Sequence, residues 1–179
     1  MSQISQSYAL ALYDLAKEEV LAEDILLQLD VLAQGFDQEP AFVRLLSAPN
    51  ISKEERCRIL DDSFRGKVHP YVLNFLKILT EKGYMRHFSD CCRDYRDQYN
   101  RDNGILPVQA VTAVALTAQQ TSSLMKKLAD MTGKKVDLTN RVDPDCLGGV
   151  RLIYDGKCVD GTVRGRLDSI SAMLKNTIL

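Results

Sequence analysis

The stretch Arg101–Leu116, RDNGILPVQAVTAVAL, divides the chain into two kinds of structure. Its Asn103-Gly104 pair is a typical end of a helix, because glycine readily takes the left-handed conformation in which helices stop. The residues that follow alternate and include several β-branched side chains, which predicts a strand over Ile105–Leu116. We therefore place a domain boundary near residue 104.

Upstream of this boundary, apolar residues at helical spacing predict consecutive short helices. Ser52–Glu55 is predicted to be a capping box, in which the serine hydroxyl and the glutamate satisfy backbone groups at the start of a helix. Pro70 suits the first turn of the fifth helix and Gly83 its end. The sixth helix is predicted over about Met85–Arg101. The front part, 1–104, is thus expected to be helical.

Downstream, residues 105–179 are expected to form a small α/β domain, so that the chain as a whole is of the α+β class. Strand-like alternation is interrupted by two helical segments and by one hairpin signal, Asp155-Gly156, whose residues tolerate positive φ. The predicted elements are a capping box at Thr117–Gln120 with a helix that ends at Gly133, strands around Val136–Val142 and Val150–Tyr154, and a last helix over about Gly161–Thr177.

The composition is that of an ordinary globular protein, with 45% apolar and 26% charged residues and a net charge of −1. Residues 1–104 carry 13 Lys and Arg against 17 Asp and Glu, and residues 105–179 carry 10 against 7. This weak asymmetry argues against nucleic acid as a partner. Without a long apolar run, a signal peptide or a transit peptide, the sequence predicts no transmembrane segment, and either a bacterial cytosolic protein or one that has already been processed.

Residues typical of catalytic and metal sites are few. The five cysteines include no C-x-x-C pair, and free thiols in a reducing compartment are expected instead of a zinc site. His69 and His87 have no identifiable activating partner, which favours surface or capping roles. Gly156-Lys157 lacks the phosphate-loop spacing, and Cys158 stands where Ser or Thr would bind magnesium. The sequence predicts no catalytic residue, metal or cofactor, and therefore no enzyme.

The first helix is unusually apolar, with eight apolar residues among the nine of Tyr8–Ala16. A surface helix needs an apolar stripe of only about 100°. One interpretation is that this helix lies at the centre of the helical domain. The other is that one side packs inward while another side binds an amphipathic helix of a partner. The fifth helix is similar, since Tyr71, Leu73 and Ile78 lie outside its main stripe.

Two other functions have partial support in the sequence. A nucleic-acid-binding or regulatory adaptor would use Lys126-Lys127 and Lys134-Lys135, but no aromatic stacking motif accompanies them. A small enzyme built on the loop 148–160 would need a nucleophile with a base, and none can be named. Both are weaker interpretations than a protein that connects other proteins.

The order of segments resembles the delta subunit of bacterial F-type ATP synthases, the family that includes the mitochondrial oligomycin-sensitivity-conferring protein. The resemblance covers essentially the whole chain. The residues that carry it are Tyr8–Ala16, Asn74–Gly83, Thr132–Lys134, Val142–Val150 and Asp160–Leu167, the last reading DGTVRGRL.

This resemblance implies an N-terminal six-helix bundle, 1–104, that binds the catalytic head, and a C-terminal α/β domain, 105–179, that binds the b-type subunits of the peripheral stalk. It implies a non-catalytic stator at the cytoplasmic face of a bacterial cell membrane. The N-terminal helix of an alpha subunit is expected between the first and fifth helices. By position, the expected contact residues are Tyr8, Ala11, Leu12, Leu15, Phe75, Ile78 and Leu79. Leu12→Asp or Ile78→Asp is expected to weaken this docking while the protein stays folded.

Overall fold

The computed structural model describes residues 3–165 and 167, and it confirms the α+β class. The chain divides into two compact units, Met1–Tyr99 and Asn100–Leu179. In the predicted last helix, residues 163–165 and 167 are helical, and the rest of that segment lies outside the described residues. The helices are α1 (Gln3–Glu18), α2 (Ala22–Gln38), α3 (Pro40–Leu46), α4 (Lys53–Phe64), α5 (Pro70–Lys82), α6 (Phe88–Asp102) and α7 (Ala118–Thr132).

The ends of the helices in the first unit are set by local hydrogen bonds. Ser52 Oγ accepts from the backbone N of Glu55 at 3.1 Å, which is one of the two bonds of the predicted capping box. At the start of α5, His69 Nδ1 accepts from the backbone N of Tyr71 at 3.3 Å. Gly83 ends α5 at φ +75, as its position in the sequence predicted. His69 is therefore a capping residue.

The first unit has one hydrophobic core, to which helices α1 to α6 all contribute. Its centre contains an edge-to-face pair between Tyr13 and Tyr95, with ring centroids 5.3 Å apart. The Tyr95 hydroxyl donates to the carbonyl of Ala22 at 3.0 Å, so its polar end is satisfied. The largest fully buried side chains of this core are Tyr13, Tyr95, Phe88, Ile25, Leu29, Leu46, Leu60, Leu76, Leu79, Met85 and Val72.

The second unit is built on a four-stranded sheet in the order β2-β1-β3-β4. The strands β1 and β2 are parallel and connected through α7, whereas β3 is antiparallel to both β1 and β4. Leu128 of α7 packs with Leu106 and Val108 on one face of the sheet. The strands are β1 (Ile105–Thr112), β2 (Lys135–Val142), β3 (Val150–Tyr154) and β4 (Lys157–Asp160).

The first strand is shorter than the sequence predicted, since it ends at Thr112 and not at Leu116. Side-chain hydrogen bonds turn the backbone out of the sheet at this point. Thr112 Oγ1 donates to the carbonyl of Val114 at 2.7 Å, and the backbone N of Leu116 donates to Asn140 Oδ1 at 2.9 Å. Val114 is consequently 74% exposed.

Two local predictions in this unit are confirmed. The capping box before α7 has both of its bonds, from the N of Gln120 to Thr117 Oγ1 at 3.3 Å and from the N of Thr117 to Gln120 Oε1 at 2.9 Å. The turn between β3 and β4 has Asp155 at φ +49 and Gly156 at φ +70. These angles are those of a type I′ hairpin.

A hydrogen-bonded junction joins the end of β4 to the start of the last helical segment. Asp160 accepts from Arg151 Nε at 3.0 Å, and from the backbone N and the hydroxyl of Thr162 at 2.9 and 2.7 Å. The Thr162 hydroxyl in turn accepts from the N of Gly165 at 3.0 Å. The bonds from Thr162, followed by that from Arg151, lower the pKa of the Asp160 carboxyl. A charged Asp160 thus fixes the direction in which the chain leaves the sheet.

The cysteines give a first testable prediction. Cys91 and Cys92 are buried in the first core, and desolvation raises the pKa of the Cys91 thiol to about 12. Because the thiolate is the reactive species, native chains should react promptly with a disulfide reagent only at the exposed Cys158, and more slowly at Cys57. Cys146, which is also buried, should react only after unfolding. Thiol counting with and without urea checks this.

The matched control is Cys158→Ser, which should abolish the fast phase and leave the others unchanged. A fast phase that survives this substitution would contradict the assignment.

Candidate partner-binding surface

The inner side of α1 is attached to α6. Ser5 Oγ donates to Asp94 Oδ2 at 2.7 Å, and both residues are buried. Ala9, Tyr13 and Ala16 continue this side of the helix and are at most 2% exposed. A helix held in this way presents its opposite side in a fixed orientation.

The outer side of α1 carries part of the predicted contact set. Tyr8, Ala11 and Leu15 follow an i, i+3, i+7 spacing, which places them on one stripe. Tyr8 is half-buried, Ala11 is exposed, and Leu15 is 42% exposed. Leu12 faces inward and is only 6% exposed. Some of the apolar residues of α1 therefore lie on its buried side, and others lie on a stripe that is accessible at the surface.

The predicted contact residues of α5 also fall into a buried group and an accessible one. Phe75 and Leu79 are 6% and 0% exposed and belong to the first core, whereas Ile78 is half-buried and lies outside it. Lys77, next to Ile78, is occupied by an ion pair, with its Nζ 2.7 Å from Asp61 Oδ1 of α4. Of the predicted α5 residues, Ile78 is thus the one with surface available to a partner.

The structure brings α1 close to the end of α5. The rings of Tyr8 and Tyr84 are 6.0 Å apart, and Tyr84 directly follows Gly83, at which α5 ends. Tyr8 also packs against the core that contains Leu12, Phe75 and Leu79. Four of the seven predicted residues therefore belong to or pack against the core of the first unit, while Ala11, Leu15 and Ile78 lie outside it.

The burial of Leu12 changes one expectation. An aspartate at a position only 6% exposed places a carboxylate in an apolar core, which is costly without a partner for the charge. Given this burial, we now expect Leu12→Asp to destabilise the first unit and not to leave the protein folded. Leu15, three residues further along the helix and accessible, is the better probe of the surface.

Sequence reasoning missed an apolar groove in the first unit. The groove has a volume of about 790 Å³ and lies between α2, α3 and α4. The signals were present in the sequence, because Val31 does not fit the buried stripe of α2 and Gly35 is a poor helix former within that helix. They could not be interpreted without knowing which helices are neighbours. The lining residues are Val31, Leu32, Gly35, Phe36, Glu39, Ala41, Phe42, Leu45, Ser63 and Phe64.

The described part of the chain offers neither a metal site nor a membrane span. Within residues 3–165 and 167, no three His, Cys, Asp or Glu side chains are grouped so that they could hold a metal ion. None of the helices in these ranges combines the length and the apolar content that a bilayer crossing requires.

Comparison with known proteins gives a consistent result. The family model for the ATP synthase delta (OSCP) subunit matches residues 4–174. The ATP synthase subunit delta of Alkaliphilus oremlandii is 32% identical over 176 residues, with 98% of each chain covered. That of Gloeobacter violaceus is 32% identical over 174 residues, covering 96% of this chain and 94% of its own. A chain of the Toxoplasma gondii mitochondrial ATP synthase hexamer shares the fold, with a TM-score of 0.74 at 20% identity and coverage of 97% and 98%. These matches give no support to a nucleic-acid adaptor.

Proposed function

Because this chain belongs to the ATP synthase delta (OSCP) subunit family, we propose that it is the stator subunit that links the catalytic head to the peripheral stalk. The observation that carries the proposal is the family match over residues 4–174. A stator prevents the head from turning with the rotor, so that proton-driven rotation is coupled to ATP synthesis. This role requires firm binding at two ends and no chemistry.

The same membership supports the finer parts of the proposal. The protein is non-catalytic and acts at the cytoplasmic face of a bacterial cell membrane, as a peripheral part of the complex. The six-helix bundle of the first unit binds the N-terminal helix of an alpha subunit, and the second unit binds the b-type stalk subunits. The fixed orientation of α1, provided by the bond between Ser5 and Asp94, supports the first of these roles.

For the alpha-subunit site we propose two layers. Ala11, Leu15 and Ile78, with the accessible part of Tyr8, contact the partner helix. Leu12, Phe75 and Leu79 are buried and hold α1 and α5 in place beneath it. Apolar burial stabilises such contacts by about 25 cal/mol per Å², before the cost of association is subtracted.

The accessible layer gives a second prediction. Leu15→Asp and Ile78→Asp should each lower the affinity for a peptide of the alpha N-terminus by at least about tenfold, because each places a charge against an apolar helix face. Titration calorimetry on the full chain measures this. Val20→Asp is the control, since Val20 is 90% exposed in the loop after α1 and should bind as the unmodified protein does.

Unchanged affinity in a folded Leu15→Asp protein would remove Leu15 from the contact set. Unchanged affinity in both variants would reject the α1 and α5 surface.

A further inference from the structure

The strand β2 lies at one side of the sheet, whose order is β2-β1-β3-β4, so one of its edges faces away from β1. The backbone N of Lys135 donates to the carbonyl of Gly104 at 3.0 Å, and the N of Asp143 donates to the carbonyl of Thr112 at 2.8 Å. The register between these two bonds is continuous. Odd-numbered residues of β2 therefore direct their backbone groups to β1, and the even-numbered residues of 136–142 direct theirs to the outer edge.

This outer edge is open. Within the part of the chain that the structure describes, no hydrogen bond reaches the outward backbone groups of 136–142. Residues 139–142 are exposed, so no other described segment covers the edge there. A row of unpaired backbone groups is a template on which another strand can be added. The edge thus offers a place for one further strand in the sheet.

The side chains along this edge carry charges of both signs on one face of the sheet. Lys135, Asp137 and Arg141 share this face, because strand residues two positions apart point the same way, and all three are exposed. Asp143 continues the row, since its Oδ2 lies 3.6 Å from Arg141 Nη2. With Thr139 in the middle, the charges along the edge are positive, negative, neutral, positive and negative.

This order of charges is complementary to itself when a second copy pairs antiparallel about Thr139. Lys135 then lies opposite the partner's Asp143. In the same register Asp137 lies opposite the partner's Arg141. Because the odd-numbered residues direct their backbone groups inward, these are non-hydrogen-bonded pairs, in which Cα atoms are about 4.5 Å apart and side chains are closest. Each pair occurs twice, once from each copy.

The same charges disfavour the neighbouring registers. A slide of two residues in one direction places Lys135 opposite the partner's Arg141. A slide of two residues in the other direction places Asp137 opposite the partner's Asp143. Like charges directly opposite each other destabilise a strand pair, and a slide of one residue would exchange the faces of the strand. A row of lysines would block the edge in every register, whereas these charges leave one long register favourable.

We propose that the outer edge of β2 is a self-association surface, on which two copies of the free chain pair antiparallel about Thr139. On the other face of the sheet, Val142, which is 48% exposed, lies opposite the partner's Val136 in this register, so the pairing also covers an apolar side chain. The two four-stranded sheets become one continuous sheet. A two-fold pairing is closed, so it occupies the edge without starting a fibre. The proposal concerns the chain outside any complex and does not depend on the stator role.

Sedimentation of the full chain over a range of concentrations tests the proposal. Because an edge-to-edge contact is smaller than a standard interface, we expect a dimer with a dissociation constant on the order of 10–100 μM. Asp137→Arg and Arg141→Asp should each weaken this dimer at least about tenfold, since each turns attractive pairs into repulsive ones. An equimolar mixture of the two variants should form the dimer again, because each variant then meets opposite charges on the other.

The mixture keeps the test independent of folding, since only variants with an intact sheet can regain the dimer. Lys157→Asp is the control, because it changes the charge as Arg141→Asp does but lies on β4 at the opposite edge of the sheet, and it should leave the dimer unchanged. All three substituted residues are exposed, so the urea midpoints should change little.

A chain that remains monomeric at concentrations far above the expected dissociation constant would overturn the proposal, and so would a mixture of the variants that remains monomeric. A dimer that Lys157→Asp or Leu15→Asp abolishes and Arg141→Asp does not would also overturn it, because another surface would then form the contact.

Discussion

Gly149→Ala is expected to destabilise the second unit by about 3 kcal/mol, because both the backbone angle and the available space exclude a side chain there. Gly149 has φ +78, in the left-handed region that favours glycine. A Cβ at this position would lie 2.4 Å from the carbonyl oxygen of Gly161 and 3.0 Å from the Cα of Thr162. Both are backbone atoms, so no side-chain rotation can relieve the clash.

The clash lies where the loop before β3 crosses the start of the last helical segment. The N of Gly161 donates to the carbonyl of Val150 at 3.0 Å, and the N of Val163 donates to the carbonyl of Gly148 at 3.0 Å. An alanine at 149 would separate the two segments of this crossing. It should therefore also disturb the neighbouring junction at Asp160.

Hydrogen exchange of the β1 and β3 amides measures this effect in the second unit alone. The control is Gly156→Ala, which also has positive φ, at +70, but has open space around its Cβ among the described residues. That substitution should cost only the backbone strain, about 1 kcal/mol. If the two alanines reduced protection equally, the close crossing would not be the cause.

Leu12→Asp should destabilise the first unit by about 4 kcal/mol, enough to unfold much of it. The substitution removes a leucine side chain from the core, which typically costs about 2–5 kcal/mol, and buries a carboxylate in its place. Leu12 is 6% exposed and lies in the same cluster as Phe75 and Leu79. The new carboxylate would therefore face apolar side chains in place of water.

Leu15→Asp is the matched control, with the same change one helical turn away at a position 42% exposed. It should alter the free energy of unfolding by no more than about 0.5 kcal/mol. Urea unfolding followed by the helical signal compares the two variants. Equal midpoints would mean that Leu12 does not face the core.

Leu12 and Leu15 show where the sequence is informative and where it is not. Local signals such as the Thr117–Gln120 capping box and the Asp155-Gly156 turn were predictable, because each depends on a few neighbouring residues. A helix that is apolar nearly all round has no periodicity from which to tell Leu12 from Leu15. The packing of α1 against other helices, including α6 through the bond between Ser5 and Asp94, decides which of them is buried.

Contacts between segments that are distant in the sequence also account for two other features that the sequence analysis did not predict. β1 ends early because Asn140, which lies 24 residues further along the chain, accepts a hydrogen bond from the backbone of Leu116. The apolar groove between α2, α3 and α4 is lined by Phe36, Phe42 and Phe64, which belong to separate helices. Contacts between distant segments are not encoded in local spacing, so neither feature could be obtained from the pattern of one helix or strand.

The bond between Ser5 and Asp94 also has a consequence during synthesis, since 89 positions separate its two residues. A ribosome adds roughly 5–20 residues per second, so several seconds pass between the emergence of α1 and that of its anchor on α6. Over that interval the apolar side of α1, with Ala9 and Tyr13, has no α6 to cover it. The nascent chain therefore leaves this side of α1 without its α6 contacts until α6 has been made, and chaperone dependence should be greatest before Asp94 has emerged.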